Sequence, residues 1–306
     1  MKKGQIKNSL LLLLAAGIWG TAFVAQSVGM EHVEPFTFTF ARSMIGGLFL
    51  IPCISFFRWL KKRENSEREL QRKAVVTKTE WIGGVCCGLV LCAAANFQQF
   101  GIAYTTVGKA GFITALYVVI VPVFGLFFKK KVPPAIWFCV GLSVVGLYLL
   151  CMTEGSFTLA YGDLMVLLCA VLFSCHIMVI DYFSPKCDGV VLSCIQFLVC
   201  GTISGVIMLF TETPRLNEIW AAMVPILYVG VMSSGVAYTL QVVTQKNLNP
   251  TIASLIMCME SVISALAGWI ILGQALSKRE LFGCVLMFAA IVLAQLPMPK
   301  KKSSGA

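Results

Sequence analysis

The chain has 306 residues, of which 58% are hydrophobic and 12% charged, with a formal net charge of +10. A soluble domain carries about 25% charged residues, so this composition leaves no room for a water-soluble catalytic domain. With two histidines no ordinary zinc site can be built, and thirteen cysteines, an odd number with no CxxC and mostly within apolar sequence, give no disulfide or metal framework.

Ten apolar segments follow one another, at residues 10–28, 35–57, 81–104, 110–128, 132–152, 164–180, 190–210, 219–244, 250–276 and 281–297. Most reach the roughly 20 residues that a helix rising ~1.5 Å per residue needs to cross hydrocarbon. Lipid offers no partner for backbone N–H and C=O groups, so each segment is predicted to be a helix. The alternating stretches of a β-barrel are absent. Lys2, Lys3 and Lys7 before a leucine run imitate a signal peptide. The apolar stretch is too long for one, however, and nine more follow, so it is read as a retained first helix.

The basic residues sort by side. An even number of helices puts both termini together, with the 58–80, 129–131, 186 and 246 connections. That side collects Lys2, Lys3, Lys7, Arg58, Lys61, Lys62, Arg63, Arg68, Arg72, Lys73, Lys78, Lys129, Lys130, Lys131, Lys186, Lys246, Lys300, Lys301 and Lys302. The opposite side holds Lys109, Arg215, Lys278 and Arg279, and Arg42 lies within the second helix. The positive-inside rule therefore predicts that both termini are cytoplasmic. Topology accounts for the net charge, and a nucleic-acid partner loses its support. The polar stretch 58–80 is predicted to be a solvated cytoplasmic loop or short surface helix, its basic excess able to touch anionic lipid.

Segments one to five and six to ten superimpose in order. Ile113-Thr-Ala-Leu116 meets Ile252-Ala-Ser-Leu255, Pro122 falls opposite Ser261, and Arg42 falls opposite Gln196. Five helices per half is odd, so the second copy must enter the membrane from the other side. The expected organisation is two inverted five-helix repeats, residues 1–152 and 153–306, with a substrate site near the midplane between them.

Several stretches then point to a family: Ile18-Trp-Gly-Thr-Ala-Phe23; Pro35 followed by Arg42; Tyr104-Thr-Thr-Val-Gly-Lys-Ala-Gly-Phe-Ile-Thr-Ala-Leu-Tyr117 leading to Pro122; and Ala253-Ser-Leu255 with Glu260. In these the whole chain resembles the drug/metabolite transporter superfamily, in particular the EamA family of bacterial ten-helix permeases. The resemblance implies a secondary transporter of the bacterial cytoplasmic membrane moving small organic metabolites, such as amino acids or hydrophobic toxic compounds, with export favoured. The chain departs from the family pattern at Ser261, where proline usually follows the glutamate. It also departs at Leu272-Gly-Gln274, where glutamate often closes the helix, and at the basic run Lys129 to Lys131.

The polar residues inside the apolar segments are the candidates for function. Glu260 sits near the midplane of the ninth segment, where an ionised carboxylate costs ~2.5–3.5 kcal/mol on insertion scales. It is either a substrate and proton-coupling group or a neutral acid clasping a neighbouring helix. Trp19, Phe23 and Gln26 form one stripe of the first helix, a cavity wall with a polar handle or simple packing. Thr114 and Tyr117 share a face of the fourth. Asn96 and Gln99 in the third segment match Tyr238 and Gln241 in the eighth, either as a polar pathway or as interhelical hydrogen bonds. His176 is a titrating gate or a packed polar side chain. Arg42 is expected to snorkel outward on its long stem, the alternative being attraction of an anionic group. Gly84-Val-Cys-Cys-Gly88 and Gly201-Thr-Ile-Ser-Gly205 are expected to serve internal packing more than dimerisation.

An intramembrane enzyme acting on a lipid or prenyl substrate is the main rival. Against it, the sequence has no HExxH, GxSxG, membrane aspartate pair or Asp-rich motif. A channel would show a repeated glycine-rich loop or a ring of like charges. The predicted protein is thus not an enzyme and needs no cofactor or metal. Its partners are a small-molecule solute, the bilayer and, as candidate coupling ion, the proton; it works as monomer or homodimer. No GxxxxGK[ST] loop is present, so alternating access would be driven by a gradient or by the solute.

Overall fold

Where apolar residues run for twenty positions, coiling is the one local way to satisfy every backbone N–H and C=O group. The computed structural model describes residues 3–64, 76–105, 107–127, 132–151, 161–272 and 277–295, and among them the regular structure is helical throughout. In chain order the helices are α1 Lys3–Gly29, α2 Pro35–Glu64, α3 Lys78–Tyr104, α4 Val107–Ala115, α5 Tyr117–Phe127, α6 Pro134–Cys151, α7 Tyr161–Phe183 and α8 Gly189–Thr211. There follow α9 Leu216–Ala221, α10 Met223–Tyr228, a π-helical stretch Val229–Ala237, α11 Tyr238–Gln245, α12 Pro250–Met257, α13 Met259–Leu272 and α14 Lys278–Gln295. Among the described residues, eight spans are long and apolar enough to cross a membrane, and Pro134–Leu149 is a shorter apolar helix. The expected tenth span, α14, opens on Lys278, Arg279 and Glu280. The protein is an all-α, polytopic membrane protein.

Helix ends depart from hydropathy ends for local reasons. The loop expected over 58–80 is narrower, because α2 continues through Glu64 on Arg, Leu, Lys and Glu, all good helix formers. At the other end of this loop α3 starts at Lys78 on a capping box. Thr77 accepts from Glu80 N–H, and the Glu80 carboxylate accepts from Thr77 N–H at 2.8 Å. The lysines 129–131, the Gly-Gln pair at 273–274 and the terminal lysines 300–302 lie outside the described residues. The short sixth segment becomes a 23-residue helix, α7, because the helix extends past the apolar run at both ends, with Asp163 in its first turn, where a negative charge suits the helix dipole.

Three predicted spans are not simple rods. The fourth breaks at Leu116, between α4 and α5, and the ninth at Cys258, between α12 and α13. Both breaks are tightened turns: Leu116 N–H bonds Ile113 C=O, and Ser261 N–H bonds Cys258 C=O, each three residues back. The eighth passes through α9, α10 and the nine-residue π-helical stretch, a rare form that often marks functional sites.

Packing follows a pattern. α2 lies on α8, α3 on α7 and α8, α6 on α14, and α1 on α12, α13 and the π-helical stretch. Small residues allow these approaches. A Cβ on Gly84 or Gly88 would meet Ile195 or Val199 of α8, and one on Gly201 or Gly205 would meet Met44 or Phe40 of α2. Both GxxxG spacings therefore serve contacts inside the bundle. Two acidic side chains close the ends. Glu212, just past α8, accepts from Phe36 N–H at 2.8 Å and Thr37 N–H at 2.7 Å, capping α2 from another helix. Glu80, at the start of α3, accepts from Asp188 N–H at 3.1 Å, at the start of α8. Leu91, Leu147 and Leu255 are fully buried, while Leu10, Phe138, Phe210 and Ile270 stand exposed on the outer faces, as a lipid-facing surface requires.

Candidate functional site

The broken helices meet at their breaks. Tyr117 opens α5 and Glu260 stands in the first turn of α13, so both side chains leave the backbone where the helices are interrupted. The Tyr117 hydroxyl donates to Glu260 Oε1 at 3.0 Å, and both are buried. A second bond ties the same two spans together, this time from α13 to α4: Ser261 Oγ donates to Gly111 C=O at 3.0 Å. The serine at this position is therefore a contact between the two interrupted spans.

Around Glu260 is a cavity of about 40 Å³. A space of this size holds a few water molecules, whereas metabolite-sized ligands occupy pockets of roughly 300 Å³ or more.

Of the residues singled out from the sequence, Trp19, Phe23, Gln26, Thr114, Tyr117, Tyr238, Gln241 and Glu260 all line this cavity. They come from α1, α4, α5, α11 and α13, so no local pattern could have joined them. The aromatic wall is continuous: the Trp19 and Tyr238 rings meet edge-on at 4.9 Å, and Phe197 backs Tyr238 at 5.2 Å. The wall also carries polar atoms, Trp19 Nε1 and Gln241 Oε1, that have no hydrogen-bond partner among the described residues.

Asn96 and Gln99 are not among the lining residues. Asn96 Nδ2 donates to Ser204 Oγ at 2.9 Å and to Cys92 C=O at 2.8 Å, a clasp between α3 and α8. The residue of α3 that reaches the cavity is Gln98, one position away and hence ~100° around the helix. Sequence spacing gave the polar face without its rotation relative to the neighbours. His176 is fully buried behind the wall, Nε2 3.1 Å from Gln196 Oε1 and its ring 6.1 Å from that of Tyr238.

Arg42 requires the largest correction. It does not snorkel outward: it is 4% exposed, lines the cavity, and donates from Nη1 to Gln26 Oε1 at 3.3 Å. α2 is held against α8 and the π-helical stretch, and that rotation turns the guanidinium inward. Phe173, Ile177, Ser233 and Met257 also line the cavity without having been singled out. Ser233 sits in the π-helical stretch and Met257 beside the α12 break. Neither irregularity has a signature in apolar periodicity.

The sequence matches the profile of the EamA-like transporter family twice, over residues 7–152 and 160–296. An uncharacterized transporter of Archaeoglobus fulgidus is 27% identical, the match covering 95% of this chain and 87% of the relative. The uncharacterized transporter YwfM of Bacillus subtilis is 24% identical over 99% of this chain and 98% of its own. A protein of known crystal structure, 20% identical, superimposes with a TM-score of 0.76, covering 95% of this chain and 98% of that one, which shows the fold.

Proposed function

The chain belongs to the EamA-like transporter family, and from that premise we propose that it is a secondary active carrier that exports small organic metabolites by alternating access. Ten membrane helices form two inverted five-helix repeats, residues 1–152 and 153–306, in the bacterial cytoplasmic membrane with both termini in the cytoplasm. The observation that carries this reading is the cavity where two interrupted helices, one from each half, bring Tyr117 and Glu260 into contact. Interrupted helices at matching positions of two halves are the usual construction of a midplane carrier site.

The packing supports the repeat. Exchanging the halves maps the α2–α8 and α6–α14 contacts onto themselves, and maps α3 on α7 onto the π-helical stretch on α1. The caps behave likewise, since Glu212 follows the seventh span and reaches the start of the second, while Glu80 follows the second and reaches the start of the seventh. Each cap lies at one end of the bundle, where an alternating-access carrier must open and close. Glu260 is the candidate for proton coupling, as a carboxylate buried in the cavity rather than in a packed core.

Counterflow in proteoliposomes, with a broad panel of labelled amino acids, amines and apolar metabolites and with or without an imposed proton gradient, tests the proposal. Saturable exchange of at least one solute is expected. Flux that rises linearly with concentration for every solute moved would replace the carrier by a pore, and chemical conversion of a solute would replace it by an enzyme.

A further inference from the structure

Two buried thiols meet between α3 and α8. Cys92 and Cys200 are hydrogen-bonded to each other, and both are shielded from solvent. Cys92 lies against the next turn of α8, its sulfur 3.5 Å from Ser204 Oγ, and accepts from Asn96 Nδ2 at 3.4 Å. On the far side Ser43 of α2 puts its Oγ 3.5 Å from the Cys200 sulfur. Other buried thiols spend their proton on the backbone: Cys194 Sγ donates to Gly47 C=O and Cys258 Sγ to Leu255 C=O. Spacing along the chain gave no metal framework, because only the packing of α3 on α8 brings Cys92 and Cys200 together.

A buried cation stands beside this pair. Arg42 is the one lysine or arginine that is buried among the described residues, and a charge at such depth is normally met by an opposite one. Its hydrogen-bonded partner is the neutral Gln26, and its Nε has no partner among the described residues. The ionisable groups that act on its charge are Tyr238, Cys200 and Cys169, with no carboxylate among them.

We propose that Cys92 and Cys200 form a binding site for a soft monovalent d10 cation, copper(I) or silver(I), held between the two sulfurs with Arg42 balancing the charge. Thiolate sulfur selects such ions. Among the described residues no three His, Cys, Asp or Glu side chains gather as a metal site, which disfavours ions that need three or four protein ligands, whereas a d10 monovalent ion is satisfied by two sulfurs in line. Loading replaces two S–H bonds by two sulfur–metal bonds and releases two protons to solvent, with no change in oxidation state. The resulting bis-thiolate complex carries one net negative charge, which the guanidinium cancels. Asn96 Nδ2 and the hydroxyls of Ser43 and Ser204 are placed to donate to the thiolates.

The test titrates the full chain, reduced and in detergent, with copper(I) under anaerobic conditions against a copper(I) chelator. The unaltered protein is expected to retain one equivalent and to release two protons per ion, read with a pH indicator in weak buffer. Copper X-ray absorption at one equivalent is expected to show two sulfur neighbours. Cys92→Ser and Cys200→Ser should each weaken retention more than ~100-fold, beyond the ~10–100-fold that loss of a supporting partner costs, and Arg42→Gln should weaken it roughly tenfold. Cys194→Ser is the control and should leave it unchanged. Should the serine variants fail to fold, Cys92→Ala and Cys200→Ala, which bury no hydroxyl, take their place. Failure of the unaltered protein to retain copper, nitrogen or oxygen neighbours in the absorption spectrum, or undiminished retention without Cys92 or Cys200 overturns the site. Undiminished retention in Arg42→Gln overturns the charge-balancing role.

Discussion

Glu260 and Tyr117 show how much of a membrane site is decided by single atoms. The Tyr117 hydroxyl is Glu260's hydrogen-bond donor at 3.0 Å, and interhelical hydrogen bonds in membranes contribute ~0.6 kcal/mol to stability on average. Tyr117→Phe is therefore expected to lower the unfolding midpoint in detergent slightly, with the fold intact. Glu260→Gln keeps the hydrogen bond to Tyr117 and removes the exchangeable proton. Exchange should persist while its acceleration by a proton gradient disappears; a surviving proton response would make Glu260 a structural clasp. Arg42 and Asn96 teach the opposite lesson to each other. The residue expected to point outward lines the cavity, and Asn96, read either as pathway lining or as an interhelical hydrogen bond, makes the bond. Their residue types were legible in the sequence, but which way each helix is turned was not.

Helices in this protein are placed by glycine contacts and by caps lent from other helices. A Cβ on Gly20 would come within 2.7 Å of both Glu260 C=O and Ile263 Cβ, forcing α1 away from α13. Overpacking of this kind typically costs ~1–3 kcal/mol, so Gly20→Ala should lower thermal stability in detergent and impair exchange. Gly141→Ala is the control: nothing lies within 4 Å of its Cβ, and replacing a helical glycine by alanine gains roughly 0.5–1 kcal/mol. Unfolding midpoints of the two variants should move in opposite directions. Glu212 caps α2 by accepting from two backbone N–H groups. Removing a helix cap costs ~0.5–2 kcal/mol, so Glu212→Ala should lower the midpoint and loosen the end of the bundle where α2 meets α8. Hydrogen exchange confined to residues 35–38 and 208–212 would locate the loss. The capping box of α3 is readable as Thr77-x-x-Glu80, whereas the cap from Glu212 crosses 175 positions and leaves no local signature.

The whole molecule is a set of apolar helices whose outer faces suit lipid and whose inner faces hold the polar residues. Positive charge concentrated at one end predicts its orientation. A fluorescent protein fused after residue 306 should fold and fluoresce in the cytoplasm, and alkaline phosphatase fused after residue 215 should be active outside. The reverse pair of results would invert the proposed topology. Hydropathy alone determined that this is a multi-spanning helical membrane protein, because backbone groups in hydrocarbon have no other local way to be satisfied. Sequence also singled out Tyr117 and Glu260 by residue type and depth, along with most of the residues that share the cavity, but gave no sign that their spans break. Only the tertiary structure decided that the breaks meet, that Gln98 rather than Gln99 lines the cavity, and that Arg42 turns inward beside Gln26. The physical reason is that hydrophobicity fixes where a helix lies along the chain and across the bilayer. Its rotation and its partners are set by close packing of small residues and by bonds to helices far away in sequence.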